Sequence, residues 1–301
     1  MNAIEITILS IVIMIALGYI LKRLDFLSED DITPLNKIVM NILLPCMIFS
    51  ALFSADLSAI HKLGVLPIAI ICSSFIVGII SFIILKKLGF EDKRLWSVLV
   101  TVMIANTAFM GYPVNLGVFG DAGFLRAIFC DLGTTSIFLI LSLLLVLKFG
   151  GTPRAAVKDI LLFPPLWAVV LGIIFNLCNI PIGPVVDNVV NYLGDGAIPL
   201  IMISLGLSIN LGGLKWNKDM VCFTSIMKLF IFPIVMFAFV TVFHFTGYEY
   251  TIAIVEAAMP SGMLSLMLAV NYGLDYHLTS DCILMNTVFS LVTLPIIISL
   301  L

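Results

Sequence analysis

Long apolar runs alternate with short polar connections along the whole of this 301-residue chain. An α-helix needs about 20 apolar residues to cross the hydrocarbon layer of a bilayer. Ten stretches meet that requirement, so the pattern predicts an all-α integral membrane protein with ten transmembrane helices. In chain order the stretches are Ile4–Leu21, Thr33–Ala55, Leu63–Leu85, Leu95–Gly117, Phe124–Leu147, Ile160–Cys178, Val185–Leu211, Met220–Phe245, Thr251–Tyr272 and Asp275–Leu301.

Two of these stretches, the fourth and the ninth, are interrupted near their middle by residues that do not suit a regular membrane helix. The fourth contains Asn106-Thr107 followed by Gly111-Tyr112-Pro113, and the ninth contains Met259-Pro260-Ser261-Gly262. When Gly120 is aligned with Gly273, the segment from Asn106 to Phe109 falls on the segment from Met259 to Gly262. Corresponding breaks in two halves of a chain indicate the binding site of a transporter.

Ten helices divide into two sets of five, and an odd number of crossings gives the second set the opposite orientation in the membrane. The sequence therefore predicts an inverted repeat of five plus five helices, in which the broken helices 4 and 9 cross. The first repeat covers residues 1–148, a cytoplasmic connecting loop covers 149–159, and the second, inverted repeat covers 160–301. Further matches support the duplication, because Asn41–Pro45 aligns with Asp195–Pro199 and Gly133-Thr134 aligns with Asn286-Thr287.

Basic residues lie mostly on one side of the predicted helices, in the loops that follow odd-numbered helices. These residues are Lys22, Arg23, Lys86, Lys87, Lys93, Arg94, Lys148, Arg154, Lys158, Lys215 and Lys218. By the positive-inside rule those loops are cytoplasmic. We therefore expect a multi-pass protein of the cell (cytoplasmic) membrane with its N- and C-termini both outside.

Composition excludes several classes of protein. With 61% hydrophobic residues, 11% charged residues and a mean hydropathy of +1.21, the chain has too little polar surface for a soluble domain. A net charge of −3, with no basic run longer than two residues, excludes a nucleic-acid partner. The six cysteines lack the spacing of metal ligands, and we expect neither a metal nor another cofactor.

The two breaks are expected to bind a ligand because freed backbone groups cannot face lipid, where each would cost several kcal/mol. The N-terminal end of a half-helix presents N–H groups and partial positive charge, which suits a carboxylate. The predicted substrate-binding residues are Asn106, Thr107, Met259, Pro260, Ser261 and Gly262, with Asn41 and Leu44 from the second helix. The alternatives are a simple kink at the glycines and prolines, and helix-to-helix hydrogen bonding by Asn41, Asn286 and Ser261.

Five charged residues lie inside predicted spans, and we predict that they form the ion-coupling or charge network. Burying each charge in the membrane costs free energy, so each residue needs a partner. They are Asp131, Asp195, Lys228, Glu256 and Asp281. Asp195 and Lys228 lie at comparable depth, so they form either a structural ion pair or part of the binding site. Glu256 precedes Pro260 by one turn and is the preferred candidate for proton coupling; the alternative is a carboxylate that accepts hydrogen bonds from the broken backbone.

The chain resembles the auxin efflux carrier family, which includes plant PIN-type auxin carriers and bacterial permeases for malate or malonate. The resemblance covers essentially the whole chain. It rests on the ten spans, the join at the midpoint and four motifs, Leu43–Pro45, Asn106–Pro113, Lys228–Pro233 and Ala257–Gly262.

This resemblance implies a bile-acid-symporter-like fold with a scaffold part and a transport part, crossing helices that hold the substrate, and an elevator-like movement. It also implies a homodimer. Asn106 matches the asparagine that contacts the carboxylate in plant carriers. Ala105 stands where those carriers have proline, so we expect a milder first break here.

The leading functional hypothesis is secondary transport of a small organic anion, a mono- or dicarboxylate that resembles malate, malonate or auxin, by alternating access. Coupling to H⁺ or Na⁺, the direction of transport and the identity of the substrate stay open at this point. The alternatives are an anion channel and a facilitative uniporter without ion coupling. The chain has no phosphate-binding loop of the kind that ATP-driven transport needs. It also lacks HExxH-type residues and a nucleophile with a base, so we expect no enzyme.

Overall fold

A computed structural model describes residues 3–58, 60–90, 92–150, 161–209 and 217–301, and nearly all of these residues are helical. Residues 151–159 of the predicted connecting loop, and Lys215, lie outside the described residues. The α-helices, numbered in chain order, are α1 Ala3–Arg23, α2 Ile32–Ile38, α3 Leu44–Ser54, α4 Ile60–Leu63, α5 Val65–Lys87, α6 Asp92–Met103, α7 Tyr112–Phe149, α8 Pro164–Leu177, α9 Gly183–Asp195, α10 Ala197–Ser208, α11 Lys218–Ile226, α12 Phe232–Val242, α13 Gly247–Ala257, α14 Leu264–Asn271 and α15 Tyr276–Leu300.

Seven helical stretches in the described part of the chain are long and apolar enough to cross a membrane. The prediction of an all-α membrane protein is confirmed, whereas the count of ten spans is not. The difference arises at three places. The ninth predicted span is broken into α13 and α14, α8 is only 14 residues long, and Thr107–Phe149 is one helical stretch that bends at Gly120, whose φ is +65°.

Three helices contain a short π-helical turn directly before a proline. These turns are Val39–Leu43, Thr107–Gly111 and Met227–Ile231, and each ends two residues before Pro45, Pro113 or Pro233. Proline has no N–H group, and its ring clashes with the carbonyl four residues earlier. A π turn widens the helix at that carbonyl, so the chain continues as a helix without the clash.

The helices form two packed groups, and each group takes helices from both halves of the sequence. In the first, which we name the scaffold group, α1 and α2 pack against α10, the π turn Val39–Leu43 continues α2 into α3, and α3 packs against α8 and α9. In the second, the crossing group, α5 packs against α6, α7 and α12, and α15 packs against α6, α11 and α14.

Glycines allow the closest contact within the scaffold group. A Cβ atom at Gly206 of α10 would overlap the backbone of α1 at Ile15, and one at Gly18 would overlap Ile203. The two groups meet in several places, one of which is a hydrogen bond from the Thr7 hydroxyl of α1 to the Gly117 carbonyl of α7, 2.7 Å long.

Candidate functional site

The two breaks in the helices lie side by side and are joined through their backbones. Ala105 pairs with Ser261 in an isolated antiparallel bridge. The Asn106 N–H donates to the Pro260 carbonyl at 2.8 Å, and the Gly262 N–H donates to the Ile104 carbonyl at 2.9 Å. These two bonds satisfy backbone groups that the broken helices leave without an intrahelical partner, so each break stabilises the other.

Gly262 is required for this close approach. A Cβ atom at position 262 would lie 2.6 Å from the Ala105 carbonyl oxygen and 3.0 Å from the carbonyl carbon, both inside van der Waals contact. Pro260, two residues earlier, contributes no N–H group of its own and offers its carbonyl to the other break. The local sequence therefore specifies both the end of α13 and the pairing of the two chains.

Side-chain hydrogen bonds tie each break to the helix that follows it in its own half of the sequence. Thr107 donates to Asp131 of α7, and the Tyr112 hydroxyl donates to the same carboxylate at 3.0 Å. At the second break, the Asn286 amide of α15 donates to the Ser261 hydroxyl at 2.8 Å and accepts from the Ser225 hydroxyl at 2.6 Å. These contacts hold both breaks in fixed orientations.

A cavity of about 210 Å³ opens at the crossing, between the breaks and the scaffold group. Its wall consists of Asn36, Met40, Ala105, Asn106, Thr107, Ala108, Phe109, Asp131, Thr135, Phe163, Gly262, Met263, Leu264 and Met267. The first residues of both half-helices, Thr107 and Leu264, are among them. The helix ends therefore direct their partial positive charge at the cavity.

Asn106 is the most informative residue of this wall. Its side chain is only 5% exposed, and its amide nitrogen has no hydrogen-bond partner among the described residues. A buried donor without a partner is costly, so such a group marks a place where a ligand is expected. The residues that line the cavity include one carboxylate, Asp131, and neither lysine nor arginine.

A second set of polar groups lies behind the crossing. The Glu256 carboxylate covers Gly111, where a Cβ atom would lie 2.5 Å from its oxygens. The Asn115 amide donates to Glu256 at 2.6 Å and to the Gly111 carbonyl at 2.8 Å. Lys228 is also fully buried, and its ammonium nitrogen has no hydrogen-bond partner among the described residues. The hydrogen bonds of Asn115 therefore link α13 to the part of the fourth predicted span that follows the break in that span.

The structure separates the residues predicted from sequence into two classes. Asn106, Thr107 and Gly262 line the cavity, while Met259, Pro260 and Ser261 are buried in the breaks and do not line it. Asn41 is exposed and donates to the carbonyl of Lys37 in its own helix, 2.7 Å away, and Leu44 is buried in the core.

The structural ion pair, one of the two alternatives for Asp195 and Lys228, does not form among the described residues. Asp195 is exposed at the end of α9, whereas Lys228 is fully buried and its ammonium nitrogen has no hydrogen-bond partner among the described residues. Asp195 does lie near the middle of the helical stretch Gly183–Ser208, at the junction of α9 and α10, but its side chain is on the exposed surface. Asp281 is buried in the second turn of α15 and has interactions there.

Sequence reasoning missed several residues of the site, among them Asn36, Asn115, Phe163 and Met267. Asn115 could have been found, because it follows Gly111 by one turn and therefore shares its helix face. The apolar residues of the wall carry no such signal, since aromatic and methionine side chains are common in any membrane helix.

A larger cavity of about 680 Å³ lies between α3, α7 and α9, and no residue of either break lines it. Its charged residues are Asp56, Asp121, Arg126 and Asp195. Arg126 is paired with Glu249 at 2.7 Å. This larger cavity therefore provides space beside the crossing group but not a binding surface at the breaks.

Comparisons with known proteins show related chains. A family model described as membrane transport protein matches residues 3–153 and 152–298. An uncharacterised transporter of Methanothermobacter thermautotrophicus is 40% identical over 290 residues, which cover 96% of each chain. Another, from Methanocaldococcus jannaschii, is 34% identical over 297 residues, again 96% of each chain. An auxin efflux carrier component of Arabidopsis thaliana is 24% identical over 152 residues, 48% of this chain and 41% of its own.

Proposed function

This chain belongs to the membrane transport protein family, and from that premise we propose that it carries a small organic anion by secondary transport. It is a multi-pass membrane transporter with seven apolar helices in its described residues. The observation that carries the proposal is the buried, unpartnered Asn106 amide at the crossing of two broken helices.

The chemistry of the cavity favours a carboxylate over other ligands. A carboxylate accepts hydrogen bonds, which matches the amide donor of Asn106 and the N–H groups at the starts of the half-helices. A cationic ligand would be repelled by the partial positive charge of the same N–H donors. Charged hydrogen bonds of this kind contribute about 1.5–3 kcal/mol each, enough to hold a ligand in the membrane interior.

The cavity also favours one carboxylate over two. No lysine or arginine among the residues of the wall would neutralise a second charge. Asp131, on the same wall, would repel it. Apart from Asn36, Thr107 and Thr135, the remaining wall is apolar and includes Phe109, Phe163 and Met267. We therefore propose a monocarboxylate with an apolar body, and the Arabidopsis relative, named for auxin efflux, supports a small organic molecule as substrate.

Movement of the crossing group against the scaffold group would complete the transport cycle. The cavity lies between the two groups, so a displacement of one against the other would carry a ligand held at the breaks. The same proposal includes an elevator-type movement, ten spans in an inverted repeat, a cell-membrane location with both termini outside, and a homodimer. A channel would need a continuous polar lining, and the polar residues here cluster at the breaks instead.

Ligand binding to the purified protein tests the proposal. A thermal-shift screen of monocarboxylates and dicarboxylates, followed by scintillation binding, should find a monocarboxylate ligand whose Kd rises about 10- to 100-fold in Asn106→Ala. Asn188→Ala, which changes an exposed asparagine of α9, is the matched control and should leave the Kd within about twofold. Saturable uptake with counterflow in proteoliposomes would distinguish a carrier from a channel. An unchanged Kd in Asn106→Ala would refute the site.

A further inference from the structure

Asn36 is the polar residue that the scaffold group contributes to the cavity at the crossing. The wall of that cavity takes Asn36, Met40 and Phe163 from the scaffold side, and the other two are apolar. Asn36 lies in α2, and its side chain is half-buried. Asn106 faces the same cavity from the crossing group. The two groups therefore each present one amide side chain to the same space.

A buried serine fixes the Asn36 amide. The Ser204 hydroxyl of α10 donates to the Asn36 side-chain carbonyl at 2.6 Å, and Ser204 is only 2% exposed. This bond occupies the acceptor end of the amide and leaves its NH₂ group as the end available to a ligand. No acceptor among the described residues contacts that NH₂ group. Asn36 therefore offers the cavity a donor.

The packing of α10 brings this donor close to the first break. In addition to α2, α10 contacts the π turn Thr107–Gly111, which directly follows Asn106. The cavity, at about 210 Å³, is smaller than the roughly 300–1,000 Å³ typical of pockets for drug-sized ligands. A ligand that fills so small a space contacts both sides of the wall.

We propose that Asn36 is a second donor to the substrate carboxylate, and that Ser204 is the positioning residue that holds its amide for this contact. The inference rests on the proposed function and deepens it. A carboxylate has two oxygens, so it can accept from Asn106 with one and from Asn36 with the other. The bound substrate then connects the scaffold group to the crossing group. Movement of one group against the other breaks the Asn36 contact, whereas Asn106 travels with the breaks.

The alternative is a hydrogen bond that only joins two helices, and the chain contains a matched example of one. The Ser50 hydroxyl of α3 donates to the Asn191 side-chain carbonyl of α9 at 2.5 Å. Asn191 is half-buried like Asn36, and the pair also belongs to the scaffold group, but it lines the larger cavity and not the one at the crossing. Asn191→Ala therefore removes the same kind of bond without removing a donor from the site.

Scintillation binding of a panel of monocarboxylates, from butyrate to 4-bromobenzoate, to the purified protein tests the proposal. For the panel members that bind, Asn36→Ala should raise the Kd about tenfold, as expected for a lost hydrogen bond to a charged group. Asn191→Ala should leave the Kd within about twofold, with a fall in thermal midpoint similar to that of Asn36→Ala. Equal Kd values in these two variants would overturn the proposal.

A double-mutant cycle tests the positioning role. Ser204→Ala should raise the Kd about threefold or more, and Ser204→Ala/Asn36→Ala should bind no more weakly than Asn36→Ala, because Ser204 acts only through Asn36. Additive losses would refute that role. Ser204→Ala also keeps the donor testable if Asn36→Ala fails to fold, since it removes a single hydroxyl and leaves Asn36 in place; an unchanged Kd would then count against the proposal.

The same measurements separate this inference from the proposed function. If Asn106→Ala weakens binding and Asn36→Ala does not, the inference fails and the proposed function stands. Tighter binding in Asn36→Ala would show that the amide presents its carbonyl to the ligand, which also contradicts the inference alone. If no monocarboxylate of the panel binds to the wild-type protein, both fail.

Discussion

Substitution of Gly262 by alanine would disrupt the close backbone contact between the two breaks. The new methyl group would lie 2.6 Å from the Ala105 carbonyl oxygen and 3.2 Å from a side-chain carbon of Ile104. Both neighbours belong to the other break. The carbonyl is part of the backbone, so it cannot turn away as the end of a flexible side chain would. The two breaks must therefore separate to admit the methyl group.

The cost follows from the contacts that this separation disturbs. Two backbone hydrogen bonds join the breaks, at 2.8 and 2.9 Å, and a net contribution of about 1 kcal/mol each is typical. Overpacking of a close-packed site adds about 1–3 kcal/mol. We therefore expect Gly262→Ala to destabilise the crossing by roughly 3–5 kcal/mol. If about half of that cost falls on the ligand-binding arrangement, ligand affinity drops by at least about tenfold, since a factor of ten corresponds to about 1.4 kcal/mol.

Ligand binding and thermal shift together measure this effect. Gly196→Ala is the matched control, because a Cβ atom there meets its nearest neighbour at 3.4 Å, an ordinary contact. We expect the control to bind ligand like the wild type and Gly262→Ala to lose both affinity and thermal stability. If Gly262→Ala binds ligand with an unchanged Kd and has the same thermal midpoint as the control, the breaks are not held together as described.

Two further substitutions test the walls and supports of the site. Asp131→Asn removes the one negative charge from the wall. Two like charges 4 Å apart repel by about 4 kcal/mol at an effective dielectric constant of ~20, and by less at longer distance, so the monocarboxylate Kd should fall at least about fivefold and dicarboxylates should begin to bind; a weaker monocarboxylate would contradict the assignment. Asn286→Leu leaves the Ser261 and Ser225 hydroxyls without their partner, which costs about 2–4 kcal/mol; its thermal midpoint should fall well below that of the exposed-site control Asn188→Leu, and equal midpoints would argue against a supporting role.

The positions of the breaks could be predicted from sequence because local chemistry determines them. Pro260 removes an N–H group, Gly262 removes a side chain, and Asn106 offers its own polar group, so each effect acts within one turn of the helix. Their mutual contact is a long-range feature, and the alignment of the two halves was the only sequence signal for it. That alignment paired Asn106–Phe109 with Met259–Gly262, segments that adjoin across the crossing.

The direction of a side chain on its helix could not be predicted in the same way. Asn41 lies in the π turn Val39–Leu43, where an added residue rotates the helix surface away from the regular 3.6-residue pattern. The structure places Asn41 on the exposed surface and Met40 at the cavity.

The partners of buried charges were also beyond the sequence. Depth along a span gave Asp195 and Lys228 a common level, but depth says nothing about which faces of two helices meet. Lys228 lies fully buried in the π turn Met227–Ile231, whereas Asp195 ends α9 with an exposed side chain, a difference that depends on how the helices pack. Such packing is a property of the assembled helices.

A cryo-electron microscopy map of the protein with a bound bromine-bearing monocarboxylate would test the central claim most directly. The account predicts ligand density in the cavity at the crossing, with the carboxylate within about 3 Å of the Asn106 amide nitrogen and the apolar body toward Phe163 and Met267. Ligand density confined to the larger cavity between α3, α7 and α9, or a carboxylate turned away from both breaks, would contradict it.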